Sequence, residues 1–316
     1  MDMKELAYGV EIELVHITRE RAARAIQSVV GGEVCHVGSP TAYDPWTVIQ
    51  PDGRVWNVVK DGSLVDVPEH LRAEVVSPIL DYGDMEQLQE VVRALRRARA
   101  RTSVNTSIHI HVDGSTFDGP SLVRLAKLVY KQEPLILAAL GVSPQRLARY
   151  AKPINPDFIA KLERHKPATR EHINRLWYGR ENLHPQRYDP SRYTGVNYSA
   201  LYFHGTIEFR WFTFRDGKLH AGELRAYVSF VLALAVKALN ARAASAKNKR
   251  EFDPVSARFS FRVFLLRLGF IGATWKAVRH HLLKTMPGDS AWKHGRPKPK
   301  TKPKPEPATE PVEVKA

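Results

Sequence analysis

Three short segments of this sequence alternate ionisable side chains with apolar ones. They read GVEIE at 9–13, SIHIHVD at 107–113 and TIEFR at 206–210. Because successive side chains of a β-strand point to opposite faces, each segment would place its polar residues together on one side. The polar residues are two glutamates, a His-x-His-x-Asp series and a Glu-x-Arg pair, namely Glu11, Glu13, His109, His111, Asp113, Glu208 and Arg210.

This polar pattern has two interpretations. Water could solvate the outward face of any single strand. Carboxylates crowded on neighbouring strands, however, raise one another's pKa unless a cation neutralises them. Glutamates with one histidine suit Mg²⁺ or Mn²⁺, whereas several histidines favour Zn²⁺. Glu74, in a short strand pattern, could add a ligand, and Asp61 could reach the site from a loop, although a plain turn residue is an equal alternative there. Together the segments predict a metal-centred site.

The elements that would position these residues form a mixed pattern. Local strand pairing and turn signals predict an α+β fold with a mainly antiparallel sheet covered by helices on one face. Strands are predicted at 5–16, 46–50, 54–59, 73–78, 106–114, 193–201 and 205–215. Helices are predicted over 19–30, 84–101, 119–140, 218–246, 253–268 and 273–285. Residues 1–293 would form one catalytic domain, in which 141–192, rich in Pro, Arg, His and Asn, would be an insertion or lid with a role in substrate binding.

Composition narrows the class of protein. The 316 residues carry a formal net charge of +15, which favours anionic partners. The single cysteine, Cys35, cannot form an intrachain disulfide. The sequence has neither a signal-peptide pattern nor an apolar run long enough for a membrane span, and we expect a cytoplasmic location without membrane partners. Residues 294–316 consist largely of Pro, Lys and Glu, a composition typical of a disordered tail. This basic tail could bind nucleic acid as an accessory function.

Taken in order, these motifs resemble a known family. GVEIEL, VVKDGSL, AEVVSPIL, SIHIHVD and NYSALYFHGTIEFRWF, spread over residues 6–285, are similar to motifs of the amidoligases. That family belongs to the carboxylate–amine ligase superfamily, with glutamine synthetase and glutamate–cysteine ligase. The resemblance implies a curved antiparallel sheet like the glutamine synthetase catalytic domain, with helices on the convex face and ATP and divalent cations on the concave face. It also implies ATP-dependent joining of a carboxylate to an amine through an acyl phosphate, with a peptide, protein or cell-wall peptide as the expected substrate.

Roles follow from the resemblance residue by residue. The expected metal ligands are Glu11, Glu13, Glu74, His109 and Glu208. The expected contacts to ATP, phosphate or substrate are His109, His111, Arg210 and Asn197. Arg210 would also be catalytic, and Asp61 is a candidate base for the attacking amine. The resemblance gives no pattern for 141–192.

Two other functions are compatible with parts of the sequence. His-x-His-x-Asp at 109–113 is a spacing that also serves zinc metallohydrolases. The C-terminal segment 253–285 and the tail could instead bind nucleic-acid phosphates, although the apolar residues of this segment are typical of core packing.

Overall fold

The computed structural model describes residues 1–38 and 43–297. Within them one sheet contains eight strands: β1 (Tyr8–Val15), β2 (Glu33–His36), β3 (Trp46–Ile49), β4 (Val55–Val59), β5 (Arg72–Val76), β6 (Ile108–Asp113), β7 (Val196–Asn197) and β8 (Thr206–Phe212). The helices are α1 (Arg19–Val30), α2 (Met85–Arg97), α3 (Gly119–Leu140), α4 (Pro144–Arg149), α5 (Pro156–His165), α6 (Arg170–Tyr178), α7 (Ser199–Phe203), α8 (Ala221–Asn240), α9 (Ala257–Arg267) and α10 (Lys276–Leu283).

The strand order is β2-β3-β4-β5-β1-β6-β8-β7, and every pairing between strands is antiparallel. The strands that carry the polar motifs, β5, β1, β6 and β8, are therefore consecutive neighbours at the centre of the sheet. This confirms the α+β class and the antiparallel sheet. The concave placement of a site and the likeness to glutamine synthetase stay predictions.

Helix boundaries follow local capping chemistry. The side chain of Thr18 accepts a hydrogen bond from the backbone of Arg21 at the start of α1. Asp118 and Ser121 form a reciprocal capping box at the start of α3, and Gly141 ends that helix in the left-handed conformation. Both helices lie where the sequence predicts them.

The apolar faces of the strands pack against helices. Val10 and Ile12 of β1 are almost fully buried in the main core, together with residues of α1, α2 and α8. Helix α1 contacts β2 to β5, and α8 contacts β6. Since this core lies on one side of the strands, the charged residues that alternate with it must face the other side. Among the described residues, no helix combines the length and the apolar character that crossing a membrane would require.

The bounds of five predicted elements were wrong, and one strand was not predicted. The segment 193–201 forms only the two-residue strand β7 and then turns into α7. The helices predicted over 84–101, 218–246, 253–268 and 273–285 are shorter than predicted, ending or starting where hydrogen bonding to turns takes over. Strand β2 was not predicted, because its EVCH sequence lacks a regular apolar alternation. The predicted tail from residue 298 onward lies outside the described residues.

Strand β8 contains a bulge that changes which residues face the core. Its register with β6 runs from Ile110 opposite Phe209 to Ile108 opposite Phe212, so two steps along β6 match three along β8. Phe212 lies opposite Ile108 after the bulge, and both Trp211 and Phe212 are fully buried in the main core. Trp211 packs against Gly195, where a Cβ would lie 1.8 Å from the indole Nε1. A side chain at position 195 is thereby excluded.

Candidate active site

The glutamates of β1 lie directly beside polar residues of both neighbouring strands. Glu11 is opposite His109 of β6, and Glu13 is opposite Glu74 of β5. Directly opposite residues of a sheet have their Cβ atoms about 4.5–5.5 Å apart and on the same face. Three strands therefore bring their carboxylates and an imidazole together on the face away from the helices.

The same face continues across β6, β8 and β7. His111 is opposite Glu208, and Glu208 is in turn opposite Asn197. The Asn197 amide donates a 2.6 Å hydrogen bond to Glu208 Oε2, and its own oxygen accepts the backbone N–H of Ser199 at 2.8 Å. A continuous polar row thus runs from β5 to β7, as the paired motifs predict.

Three groups of side chains in this row have ligand atoms close enough for one cation each. Within residues 1–38 and 43–297, the groups whose oxygens and nitrogens all lie within 4.8 Å of one another are Glu11–His111–Glu208, Glu11–Glu74–His109 and Glu13–Asp61–Glu74. All the predicted ligands are included, and adjacent groups share Glu11 or Glu74. The row could therefore hold several cations side by side, bridged by shared carboxylates.

His109 is fixed by contacts at both ring nitrogens. Its Nδ1 lies 2.9 Å from Glu11 Oε2 and 3.3 Å from Glu208 Oε1, and its Nε2 lies 2.9 Å from Ser107 Oγ. Ser107 also donates to Glu13, from its hydroxyl at 2.6 Å and from its backbone at 2.7 Å. The imidazole therefore joins the carboxylates of β1 and β8.

Glu208 is the most buried glutamate of the row, with 2% of its surface exposed. Its Oε1 accepts a hydrogen bond from Arg210 Nη1, and the Arg210 Nε donates to the Tyr150 carbonyl at 3.1 Å. An ion pair removed from water is tightly positioned, because neither partner can turn away without leaving an unpaired charge. Arg210 is thereby held at the end of the carboxylate row.

Comparison with known proteins was made for the sequence and for the fold. A family model described as "Putative amidoligase enzyme" matches residues 4–235. The chain belongs to this amidoligase family. The matched range contains all the predicted site residues. No curated protein matches the chain significantly.

One similar solved structure is that of a bifunctional glutathione synthetase from Pasteurella multocida. The identity is 12% and the TM-score 0.46, over 90% of this chain and 47% of that protein. The chain thus spans about half the length of that protein. A score of this size does not establish a shared fold.

Electrostatics divide the carboxylates of this amidoligase into two kinds. Burial raises the pKa of Glu11, but the positive charge of His111 and hydrogen bonding by His109 outweigh it, so that this pKa lies well below its usual range. In Glu208 the raising effect of burial is outweighed mainly by Arg210, which leaves the pKa at about 2. Both groups are ionised and ready to accept cations.

The pKa of Glu74 is shifted in the opposite direction. Burial, followed by the negative charges of Glu11, Glu13 and Asp61, raises the pKa of Glu74 well above its usual range. Burial also raises the pKa of Glu13, against the opposing charge of His109. Unlike Glu208, neither side chain forms an ion pair with an arginine or lysine within the described residues. Among the described residues, this end of the row thus has no arginine or lysine at ion-pair distance.

Asp61 reaches the row from the loop after β4. Its carboxylate accepts the backbone N–H of Ser63 at 2.6 Å and lies with Glu13 and Glu74 in the third group. The sequence left a plain turn residue as an equal alternative; the structure brings Asp61 to the site.

The contacts of Asp113 disfavour the zinc hydrolase interpretation. Its carboxylate accepts hydrogen bonds from the backbone and hydroxyl of Ser115, at 2.8 and 2.5 Å, and it belongs to none of the three groups found among the described residues.

Phe261 and Leu265, in the segment considered for nucleic-acid binding, are fully buried. These apolar residues therefore pack in the core, as their sequence pattern indicates.

Sequence reasoning missed five side chains beside the row, of which four are arginine or histidine. Arg146 of α4 is buried and donates to the Arg210 carbonyl at 2.7 Å. Arg187, Arg192 and His204 line a pocket with Glu11 and Glu208. The only signal in the sequence was the basic composition of 141–192, which does not tell which arginine turns toward the site. The fifth is Thr206, whose Oγ1 lies 2.8 Å from His111 Nδ1.

Proposed function

We propose that this amidoligase joins a carboxylate to an amine at the polar row, with ATP and Mg²⁺ or Mn²⁺, through an acyl phosphate. The observation that carries the proposal is the continuous row of carboxylates and imidazoles across β5, β1, β6 and β8, ended by Arg210. Family membership supports the class of reaction. A carboxylate is inert to amines because it is anionic and lacks a good leaving group, so a ligase must first activate it.

The donor set fits a hard divalent cation. Carboxylate oxygens with one imidazole suit Mg²⁺ or Mn²⁺ better than zinc. The raised pKa of Glu74 also fits, because crowded carboxylates are what a divalent cation would relieve. We assign as ligands Glu11, Glu13, Glu74, His109 and Glu208, with His111 and Asp61 completing the first and third groups. Bound there, the cations would neutralise the phosphate oxygens of ATP.

In the first step the substrate carboxylate attacks the γ-phosphorus of ATP, and ADP leaves. Phosphoryl transfer depends mainly on positioning and on the stabilisation of charge. Arg210, fixed by Glu208 and by the Tyr150 carbonyl, would donate hydrogen bonds to the transferring phosphoryl group. His111 and Asn197 line the pocket at this end and would contact phosphate or substrate.

In the second step the amine attacks the acyl carbon, phosphate leaves and the nitrogen loses a proton. Asp61 was the sequence-based candidate for the base. Its place with Glu13 and Glu74 supports a ligand role instead, so we leave the base unassigned. The segment 141–192 would exclude water from the acyl phosphate. Its residues Arg187 and Arg192 on the pocket support this role.

The test is calorimetric titration of the full chain with a non-hydrolysable ATP analogue, with and without Mg²⁺. We expect cation-dependent binding in the wild type that Glu11→Gln abolishes, because Glu11 belongs to two of the three groups. Glu90→Gln is the matched control, since Glu90 is exposed on α2 and pairs only with Arg93.

Two results would contradict the proposal. One is the absence of nucleotide binding even after candidate peptides and amines are added. The other is equal binding by wild type and Glu11→Gln, which would move the nucleotide away from the row. Zinc that co-purifies stoichiometrically would point to hydrolase chemistry instead.

A further inference from the structure

Four side chains at the mouth of the pocket form an alternating stack of cations and rings. The Arg187 guanidinium lies 5.1 Å from the centre of the Tyr43 ring and 5.7 Å from the centre of the Tyr188 ring. The Arg192 guanidinium lies 5.7 Å from the centre of the same Tyr188 ring. The two tyrosine hydroxyls are 3.0 Å apart, and Arg192 Nη1 donates to the Arg187 carbonyl at 2.6 Å. We call Tyr43, Arg187, Tyr188 and Arg192 the Arg–Tyr stack.

The arginines of the stack are held in place without being neutralised. Within residues 1–38 and 43–297, neither Arg187 nor Arg192 forms an ion pair with a carboxylate. Stacking on a ring orients a guanidinium while leaving most of its N–H groups available. Other arginines of this region differ, since Arg175 pairs with Glu181. The stack therefore presents two oriented positive charges.

The stack is also exposed. Tyr188 has 60% of its surface accessible to solvent, and Tyr43 has 38%. Tyrosine and arginine are the residues most enriched at the energetic centres of protein interfaces. An exposed cluster of only these two types is more typical of a binding surface than of a solvated one.

Its position connects the stack to the site. Arg187 and Arg192 line the same pocket as Glu11 and Glu208. Glu208 is buried and Arg187 is exposed, so the floor of the pocket is acidic and its rim basic. A cation would lie at the floor, and an anion at the rim. An anionic chain crossing the rim would have its neighbouring groups within reach of the row.

We propose that the Arg–Tyr stack binds an acidic peptide, and that the carboxylate activated at the row belongs to such a peptide. This inference rests on the proposed function for the second part only. Paired N–H groups of Arg187 and Arg192 would each bind one side-chain carboxylate, and the tyrosine rings would pack against the peptide's aliphatic portions. Because charge-assisted hydrogen bonds are stronger than neutral ones, affinity should depend on the charge of the peptide's side chains.

The test is fluorescence anisotropy of the full chain with labelled hexaglutamate, and with hexaglutamine as the uncharged probe. We expect hexaglutamate to bind and hexaglutamine not to bind. The double variant Arg187→Gln/Arg192→Gln should weaken hexaglutamate binding about tenfold or more, the loss expected for charge-assisted hydrogen bonds. The matched control is Arg164→Gln/Arg180→Gln, which removes the same charge from two exposed arginines of the same segment.

Three outcomes would overturn the inference. In the first, hexaglutamate binds no better than hexaglutamine. In the second, the two double variants lose affinity for hexaglutamate equally, which would indicate a general effect of net charge. In the third, Arg187→Gln/Arg192→Gln would lose affinity for the Mg²⁺-bound ATP analogue and keep it for hexaglutamate, so the arginines would serve phosphate. A wild type that binds hexaglutamate specifically but does not bind the nucleotide would instead contradict only the proposed function.

Discussion

The two faces of strand β1 differ in how their buried groups are stabilised. Val10 and Ile12 lie in the core beneath the helices, where each buried apolar side chain contributes about 1.5–3 kcal/mol. Glu11 and Glu13, one residue away, face a row of carboxylates and imidazoles. Burial there costs free energy unless each charge finds a partner. Strand β1 thus stabilises the fold through its apolar face and contributes side chains to the candidate site through its polar face.

Within the polar face, the partners are unevenly distributed. Glu208 has Arg210 and Asn197, whereas Glu74 is surrounded mainly by other carboxylates. A purely structural face would place a lysine or arginine beside Glu74. Perturbed carboxylates of this kind are typical of functional sites, where the missing positive charge comes from a ligand. We therefore expect substitutions on the polar face to affect chemistry and substitutions on the apolar face to affect stability.

The largest expected effect is on catalysis, from Glu208→Gln. Glutamine keeps the volume but removes the charge, and its single amide oxygen can accept a hydrogen bond from Asn197 or from Arg210 but not from both. We expect the rate of ADP formation, with a pool of acidic peptides and amines, to fall by about 10²–10³-fold, the usual loss for one group that stabilises the transition state. The midpoint of urea unfolding should show that the variant remains folded.

The control for this variant is Glu163→Gln, which removes a half-exposed charge from α5 near Lys127. It should keep the wild-type rate. A Glu208→Gln protein with the wild-type rate of ADP formation would remove Glu208 from the machinery of the site.

The next effect is on stability, from Ile12→Ala on the other face of the same strand. Ile12 has 1% of its surface exposed, and truncation leaves a cavity among β1 and the helices above it. We expect the free energy of unfolding to fall by about 2–5 kcal/mol, measured by urea denaturation. Affinity for Mn²⁺ should stay within a factor of about two of the wild type, because the ligand atoms lie on the opposite face. A large loss of Mn²⁺ affinity in a folded protein would show that the faces are coupled.

The sequence predicted the face of each ligand because alternation is a local property. Glu11, His109 and Glu208 needed only the two-residue period of a strand, and the neighbouring order of their strands confirmed the row. The C-terminal end of β8 shows where that period is interrupted. A bulge adds one residue to β8, and nothing in the local pattern of TIEFRWF marks it.

The residues that sequence reasoning missed depend on contacts between distant segments. Arg187 reaches the pocket by stacking on Tyr43, which is more than a hundred positions earlier in the chain. Arg146 reaches β8 by donating a hydrogen bond to the Arg210 carbonyl. Neither position differs in local pattern from the other arginines of 141–192, so only the tertiary fold distinguishes them.

A smaller effect is expected from Thr206→Val, which tests how the polar face positions a histidine. Thr206 Oγ1 lies 2.8 Å from His111 Nδ1, and valine has nearly the same shape without the hydroxyl. Losing a contact that orients a ligand typically lowers metal affinity 10–100-fold, and we expect about tenfold for Mn²⁺ by calorimetry. Thr213→Val, in the loop after β8, should leave it unchanged. Equal affinities for all three proteins would mean that His111 is oriented by Glu11 and Glu208 alone.

The smallest effect is a gain in stability, from Glu74→Gln. The folded-state pKa of Glu74 is raised above the ordinary 4.5 by burial and by Glu11, Glu13 and Asp61. The folded protein therefore binds more protons than the unfolded chain above pH 4.5, and stability falls as the pH rises toward the folded-state pKa. Without cations, in chelator, Glu74→Gln should unfold at a higher urea concentration than the wild type at pH 8. The two midpoints should approach each other as the pH falls to 5. Adding Mn²⁺ should reverse the order, since the wild type gains a bound cation that the variant holds weakly. A variant less stable than the wild type in chelator at pH 8 would mean that the negative charge of Glu74 is already balanced in the cation-free protein.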